Sequence, residues 1–136
     1  MPQPEWVTNE PQWIKHCGQI RARAEDLVAG RLGLIEAARA LLPLIFWTRA
    51  QDDPDLAVFT RIDDESAVLP VGPERSQWAA HALEREDAKS RAIEEKWRDI
   101  ALRAAQSLVE RYRWSLEARA ALRRLGSQDA ADQESS

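Results

Sequence analysis

The chain has 136 residues, 44% of them hydrophobic, with six Trp, one Cys and a net charge of −4 from 19 Lys and Arg against 23 Asp and Glu. That length predicts one domain, able to bury about two-thirds of the surface its unfolded chain exposes. A lone cysteine, Cys17, excludes an intramolecular disulfide, a zinc ribbon and an iron–sulfur cluster, and the most apolar run, 40–47, is far shorter than the roughly 20 residues of a membrane span.

From the N-terminus, residues 1–17 read as an arm interrupted by Pro2, Pro4 and Pro11, in which Trp6 and Trp13 are either packing lids or exposed anchors for a partner. This opening has no basic stretch followed by an apolar run, so a secretory signal is not expected and a soluble, cytoplasmic protein is. Over 18–48, Ile20, Ala24, Leu27, Leu34, Ala38, Leu41 and Ile45 recur at three- and four-residue spacings, one face of a helix. Gly30 and Gly33 each cost about 1 kcal/mol relative to Ala in a helix interior. Either a neighbouring helix packs closely against them or the helix breaks near Gly30. Pro43 removes a backbone donor and crowds the Arg39 carbonyl, which predicts a kink in the last turn, with Trp47 closing the helix in the core.

Residues 49–75 hold three arginines against seven carboxylates and form the acidic pole of the chain. They read as a long ordered acidic loop, with a short β-ribbon as an alternative form, docked on the helices through Val58, Phe59, Ile62, Leu69 and Val71. Gly72–Pro73 then opens a short helix through Trp78, another expected core residue, and Leu83. No Gly or Pro occurs in 74–125, and Ile93, Trp97, Ile100, Ala104, Leu108 and Tyr112 mark the apolar stripe of a long helix from about 88. This helix either continues to Gly126 or breaks near Arg113, which leaves Trp114 undecided. The polar, acidic segment 127–136 is expected to be a disordered tail. The fold expected is thus all-α: a compact helical bundle in one domain, 18–126, with two long antiparallel helices and the acidic loop between them.

Catalytic and metal patterns are sparse. Neither histidine follows a Glu by three residues, as a di-iron bundle requires. His81 with Glu84 reads as a salt link, and Asp52, Asp53 and Asp55 lack the glycine and terminal Glu of a calcium loop. Neither a metal nor a cofactor is therefore expected. His16 and Cys17 are adjacent and cannot face each other on a helix, so they do not form a nucleophile–base pair. A hydrolase using only carboxylates, Glu36 with Asp64 or Glu65, is an alternative. The arginines at 103, 111, 113, 119, 123 and 124 spread around the final helix of an acidic protein, so nucleic acid is not the expected partner.

The acidic loop is the stronger candidate. Like charges held together on a braced loop suit a basic protein partner, which makes Asp52, Asp53, Asp55, Asp63, Asp64 and Glu65, with Trp13, the candidate partner-binding residues. The ordered set Arg23, Gly30, Glu36-Ala-x-Arg39, Phe59 and Ile62-x-x-Glu65-x-x-x-Leu69-Pro70-x-Gly72-x-x-Arg75-x-x-Trp78, followed by a closing helix, resembles a small uncharacterised all-helical bacterial family. Gly30, Glu36, Arg39, Pro70, Arg75 and Trp78 carry the structural signature. Such families often look like cognate immunity proteins of secreted antibacterial toxins. The resemblance implies a non-enzymatic module that covers a basic toxin's active site. A helical scaffold or regulatory adaptor is the other binding alternative.

Overall fold

The computed structural model describes residues 3–67 and 79–134, and all regular structure among them is helical. Five helices follow in order: α1 Glu10–Val28, α2 Leu34–Trp47, α3 Pro54–Ser66, α4 Ala80–Arg111 and α5 Trp114–Glu134. The first four run up and down. His16 at the start of α1 meets Trp47 at the end of α2, Arg39 of α2 reaches Ser66 at the end of α3, and the start of α3 meets the end of α4 where Arg111 pairs with Asp53. The fifth helix turns back at Tyr112–Arg113 and packs on α1, with Trp114 stacked on Trp13 and Arg119 beside Gly18. The all-α bundle expected from the sequence is present.

The stripe read along 18–48 is buried at every one of its positions, Ile20, Ala24, Leu27, Leu34, Ala38, Leu41 and Ile45, but it belongs to two helices. The break falls at Gly30, whose φ is +78° and whose missing Cβ would meet nothing within 4 Å. A left-handed backbone, not the close approach of another helix, accounts for this glycine. The Gly30 N–H donates to the Leu27 carbonyl and the Arg31 N–H to the Asp26 carbonyl, a Schellman stop. The same motif ends α2, where the Arg49 N–H donates to the Phe46 carbonyl and the Ala50 N–H to the Ile45 carbonyl. Here the left-handed position, φ 51°, is filled by Arg49 instead of glycine. A side chain in that conformation costs roughly 1–2 kcal/mol. Gly30→Ala should therefore lower stability by about 1–2 kcal/mol, whereas Arg49→Gly should leave it unchanged or raise it by up to about 1 kcal/mol, both read from urea midpoints.

Two boundaries differ from the sequence reading. Helix α1 begins at Glu10 rather than 18: Asn9 caps it by accepting from the Gln12 N–H at 3.1 Å, and Pro11 lies in the first turn, where proline is tolerated. The arm thus supplies Val7, Trp13, Ile14 and Cys17 to a second apolar cluster shared with Trp114, Ala118 and Leu122 of α5. The acidic loop is, over 54–66, the helix α3. Asp53 accepts from the amides of Asp55 (2.9 Å) and Leu56 (3.3 Å) as its cap, with Pro54 opening the first turn. Leu56, Phe59 and Ile62 recur on its buried face and Val58 packs partly buried against the core, so of the expected docking residues Val58, Phe59 and Ile62 do meet the core, but from a helix. A loop or β-ribbon over this stretch is corrected by the Asp-Pro start and the three-residue apolar spacing. Leu69, Val71, Gly72, Pro73 and the short helix opening there lie outside the described residues as far as 78.

Helix α4 is continuous from Ala80 and ends before Arg113, so the break alternative describes the C-terminal half, and α5 extends to Glu134 into the segment expected to lack structure. Helix α2 continues through Pro43. On α4 the buried face is Trp97, Ala101, Ala104, Ala105 and Leu108, and Ile100, placed on the stripe by spacing, is 44% exposed. One residue's rotation, about 100°, separates Ile100 from Ala101. No described helix is long and apolar enough to cross a membrane.

Candidate functional site

Helix α3 is held at both ends by charge. At its start Arg111 places its guanidinium across two carboxylates: Nη1 donates to Asp53 Oδ1 (3.1 Å) and Asp55 Oδ2 (2.7 Å), and Nη2 donates to Asp53 Oδ2. Ser107 Oγ donates to Asp55 Oδ2 at 2.7 Å. Burial pushes the Asp53 carboxyl up, but the Arg111 hydrogen bonds and charge and the α3 amides outweigh it, so its pKa lies below the usual carboxylate value. The Asp53 hydrogen bonds in turn push the Arg111 pKa up. At the other end Lys96 Nζ donates to Glu65 Oε1 (2.6 Å) and Trp97 Nε1 to Glu65 Oε2 (2.9 Å), which together lower the Glu65 pKa. Arg39 donates to the Ser66 carbonyl and lies 3.9 Å from Asp63 Oδ1.

These contacts give most of the candidate partner-binding acids a cation within the chain. Asp53, Asp55, Asp63 and Glu65 meet cations of their own chain, which relieves the repulsion that suggested a basic partner. Asp52 and Asp64 are exposed. Among the signature residues, Gly30 makes the α1 stop, Arg39 tethers α3, and Glu36 is exposed in the first turn of α2. Pro70, Arg75 and Trp78 lie outside the described residues. Of the arginines read as a diffuse basic surface, Arg111 holds α3 and Arg113 pairs with Glu110. Among the described residues no three His, Cys, Asp or Glu side chains are grouped to hold a metal ion.

The aromatic residues form a different surface. The short turn at 29–33 brings the end of α2 beside the first turns of α1, and a groove of about 710 Å³ opens between them, walled by Trp6, Trp13, His16, Phe46, Trp47 and Arg49. Phe46 and Trp47 meet edge to face, with ring centroids 5.4 Å apart, and are 65% and 58% exposed. The His16 ring stacks on Trp47 at 6.1 Å and contacts the amides of Gln12 and Gln19. Trp47 is thus not the core residue expected from its place on the chain: Leu41, Leu44 and Ile45 fill the buried face of α2, and the two positions after Ile45 rotate outward. That rotation was readable from the helical period. Trp13, read as either a packing lid or an anchor, is 8% exposed and stacks on Trp114 at 5.2 Å, so it packs α5 against α1 while also lining the groove.

A smaller cavity of about 240 Å³ adjoins the groove. Trp6, Trp13 and Arg49 border both, and Tyr112, Trp114, Asp52 and Asp53 complete the second, together with Cys17. Of the candidate partner-binding residues, Asp52, Asp53 and Trp13 therefore meet here. Burial pushes the Cys17 thiol up to about 12, so it remains a thiol and not a nucleophile near neutral pH. Burial, with Asp53 nearby, likewise pushes the Tyr112 phenol up to about 12. No protein-family model matches this chain, and no curated protein or solved structure matches it.

Proposed function

We propose that the chain is a protein-binding module that docks through the aromatic groove, and that its partner is a secreted toxin whose active site it covers. The single observation that carries the docking surface is the exposed Phe46–Trp47 pair at the rim of the groove. Two large rings side by side in water mark an interaction surface, and tryptophan is among the residue types that dominate binding energy at interfaces. The resemblance read from the sequence supports the toxin as partner. Asp52 and Asp64, exposed on an acidic protein, speed and orient association with a basic surface, while the rings supply most of the affinity.

Co-expression with the product of the neighbouring gene, followed by co-purification and a growth-protection assay, tests this reading. The wild-type chain should form a stable complex and restore growth. Trp47→Ser should weaken the complex by about 2–4 kcal/mol, roughly 30- to 1,000-fold in Kd, chiefly through faster dissociation. Asp64→Lys should mainly slow association. Undiminished binding by a Phe46→Ser, Trp47→Ser double variant would rule out this groove as the docking surface.

A further inference from the structure

We propose that the smaller cavity, between the N-terminal arm, the α2–α3 turn and the start of α5, is a cage for a lysine or arginine side chain presented by the partner, and that Arg49 is the internal cation that such a side chain displaces. This rests on the docking reading above for the source of the side chain, but not for the chemistry of the cage.

Two observations converge on a cation. Trp6, Trp13, Tyr112 and Trp114 are among the lining residues, Trp13 and Trp114 stacked on each other and Arg111 Cζ 5.9 Å from the Tyr112 ring centroid, and aromatic faces carry the negative side of the ring quadrupole. Two carboxylates adjoin them: Asp53, already shared with Arg111, and Asp52, which is exposed and has no ion pair among the described residues. The volume of about 240 Å³ equals about eight waters, room for one long side chain and too little for a helix.

The second observation is that the chain already places a guanidinium on this wall. Arg49 Cζ lies 4.6 Å from the centroid of the Trp6 ring. Its backbone holds the left-handed conformation that Gly30 adopts without strain at the matching stop of α1. An arginine kept at a strained position with its charge over an indole points to use of that charge at the site. Because Arg49 is exposed, its stacking is worth only about 0.5–1 kcal/mol, little enough for a better-placed cation to replace it.

The test uses the full chain and small probes instead of the unidentified partner. N-acetyl-arginine amide, N-acetyl-lysine amide and the uncharged analogue N-acetyl-citrulline amide are titrated while the indole N–H resonances of Trp6 and Trp114 are followed by NMR. The arginine and lysine probes should give saturable shifts of these two signals, and citrulline, of the same shape without the charge, should bind at least several-fold more weakly. Arg49→Gly should bind the arginine probe about two- to fivefold tighter, because a competitor worth about 0.5–1 kcal/mol is gone, and Asp52→Asn should bind it more weakly. Both positions are exposed, so the variants should fold. Equal binding of citrulline would overturn the cage. Weaker binding of the arginine probe by Arg49→Gly would do so too. Loss of partner binding in the Phe46, Trp47 double variant with no response to the cationic probes would remove the cage and keep the docking groove. The converse pattern would keep the cage and remove the groove.

Discussion

Phe59→Ala should destabilise the chain by about 3–5 kcal/mol, the largest loss expected from a single substitution. Phe59 is fully buried in the main core, on the face of α3 that meets α2 and α4. Truncation removes its transfer energy and leaves a cavity in the core cluster it shares with Leu41, Leu56, Ile62 and Leu108, which are themselves fully buried, and a close-packed interior refills such a space only in part. Urea denaturation followed by far-UV circular dichroism measures the loss. A change below about 1 kcal/mol would mean that residues 54–66 are not packed as a helix in the core. Leu56→Ala should behave similarly, at about 2–5 kcal/mol, whereas Arg61→Ala, exposed on the same helix, should change stability by less than about 0.5 kcal/mol.

Arg111→Met should cost about 1–2 kcal/mol at neutral pH, a figure for charge-assisted hydrogen bonds discounted because the guanidinium is 43% exposed. The loss is the fork on Asp53 and Asp55, and the Asp53 carboxylate, only 9% exposed, is left without its cation. The effect should depend on pH in one direction. The folded pKa of Asp53 is depressed below its ordinary value of 3.8, so its stabilising contribution is complete above about pH 4 and is lost as pH falls through the folded value. Wild type and Arg111→Met should therefore differ by a constant amount from pH 7 to about pH 4 and converge below it. Midpoints that stay equally far apart at pH 2.5 would show that Arg111 acts through packing and not through the carboxylates. Asp53→Asn should reproduce most of the neutral-pH loss, and it should lose less than Asp53→Ala because asparagine can still cap α3.

Much of the core was legible along the chain. The seven apolar positions between Ile20 and Ile45 are all buried, although the helix breaks between them, because two helices in register around a short turn continue to show one apolar face to the same core. The break itself was not decidable from spacing: Gly30 costs the same in a helix whether a neighbour or a turn requires it. Helix α3 carries its signals in the sequence, an Asp-Pro start followed by Leu56, Phe59 and Ile62, but its acidic composition reads as a loop. Carboxylates and β-branched residues lower its intrinsic helix propensity, and contacts with α2 and α4 override that preference.

The candidate site divides along the same line. The pattern of residue types determined that this acidic chain is all-helical and which faces most of its helices bury. Only the tertiary structure decided which charges and rings remain available to a partner. The pairs that engage the acids span long stretches of sequence, 58 residues from Asp53 to Arg111 and 31 from Glu65 to Lys96, and a charge's partner at that distance follows from packing. The same holds for the tryptophans. Packing of α1 against α5 buries Trp13 between them, and rotation at the end of α2 turns Trp47 outward, because a helix can bury only one face.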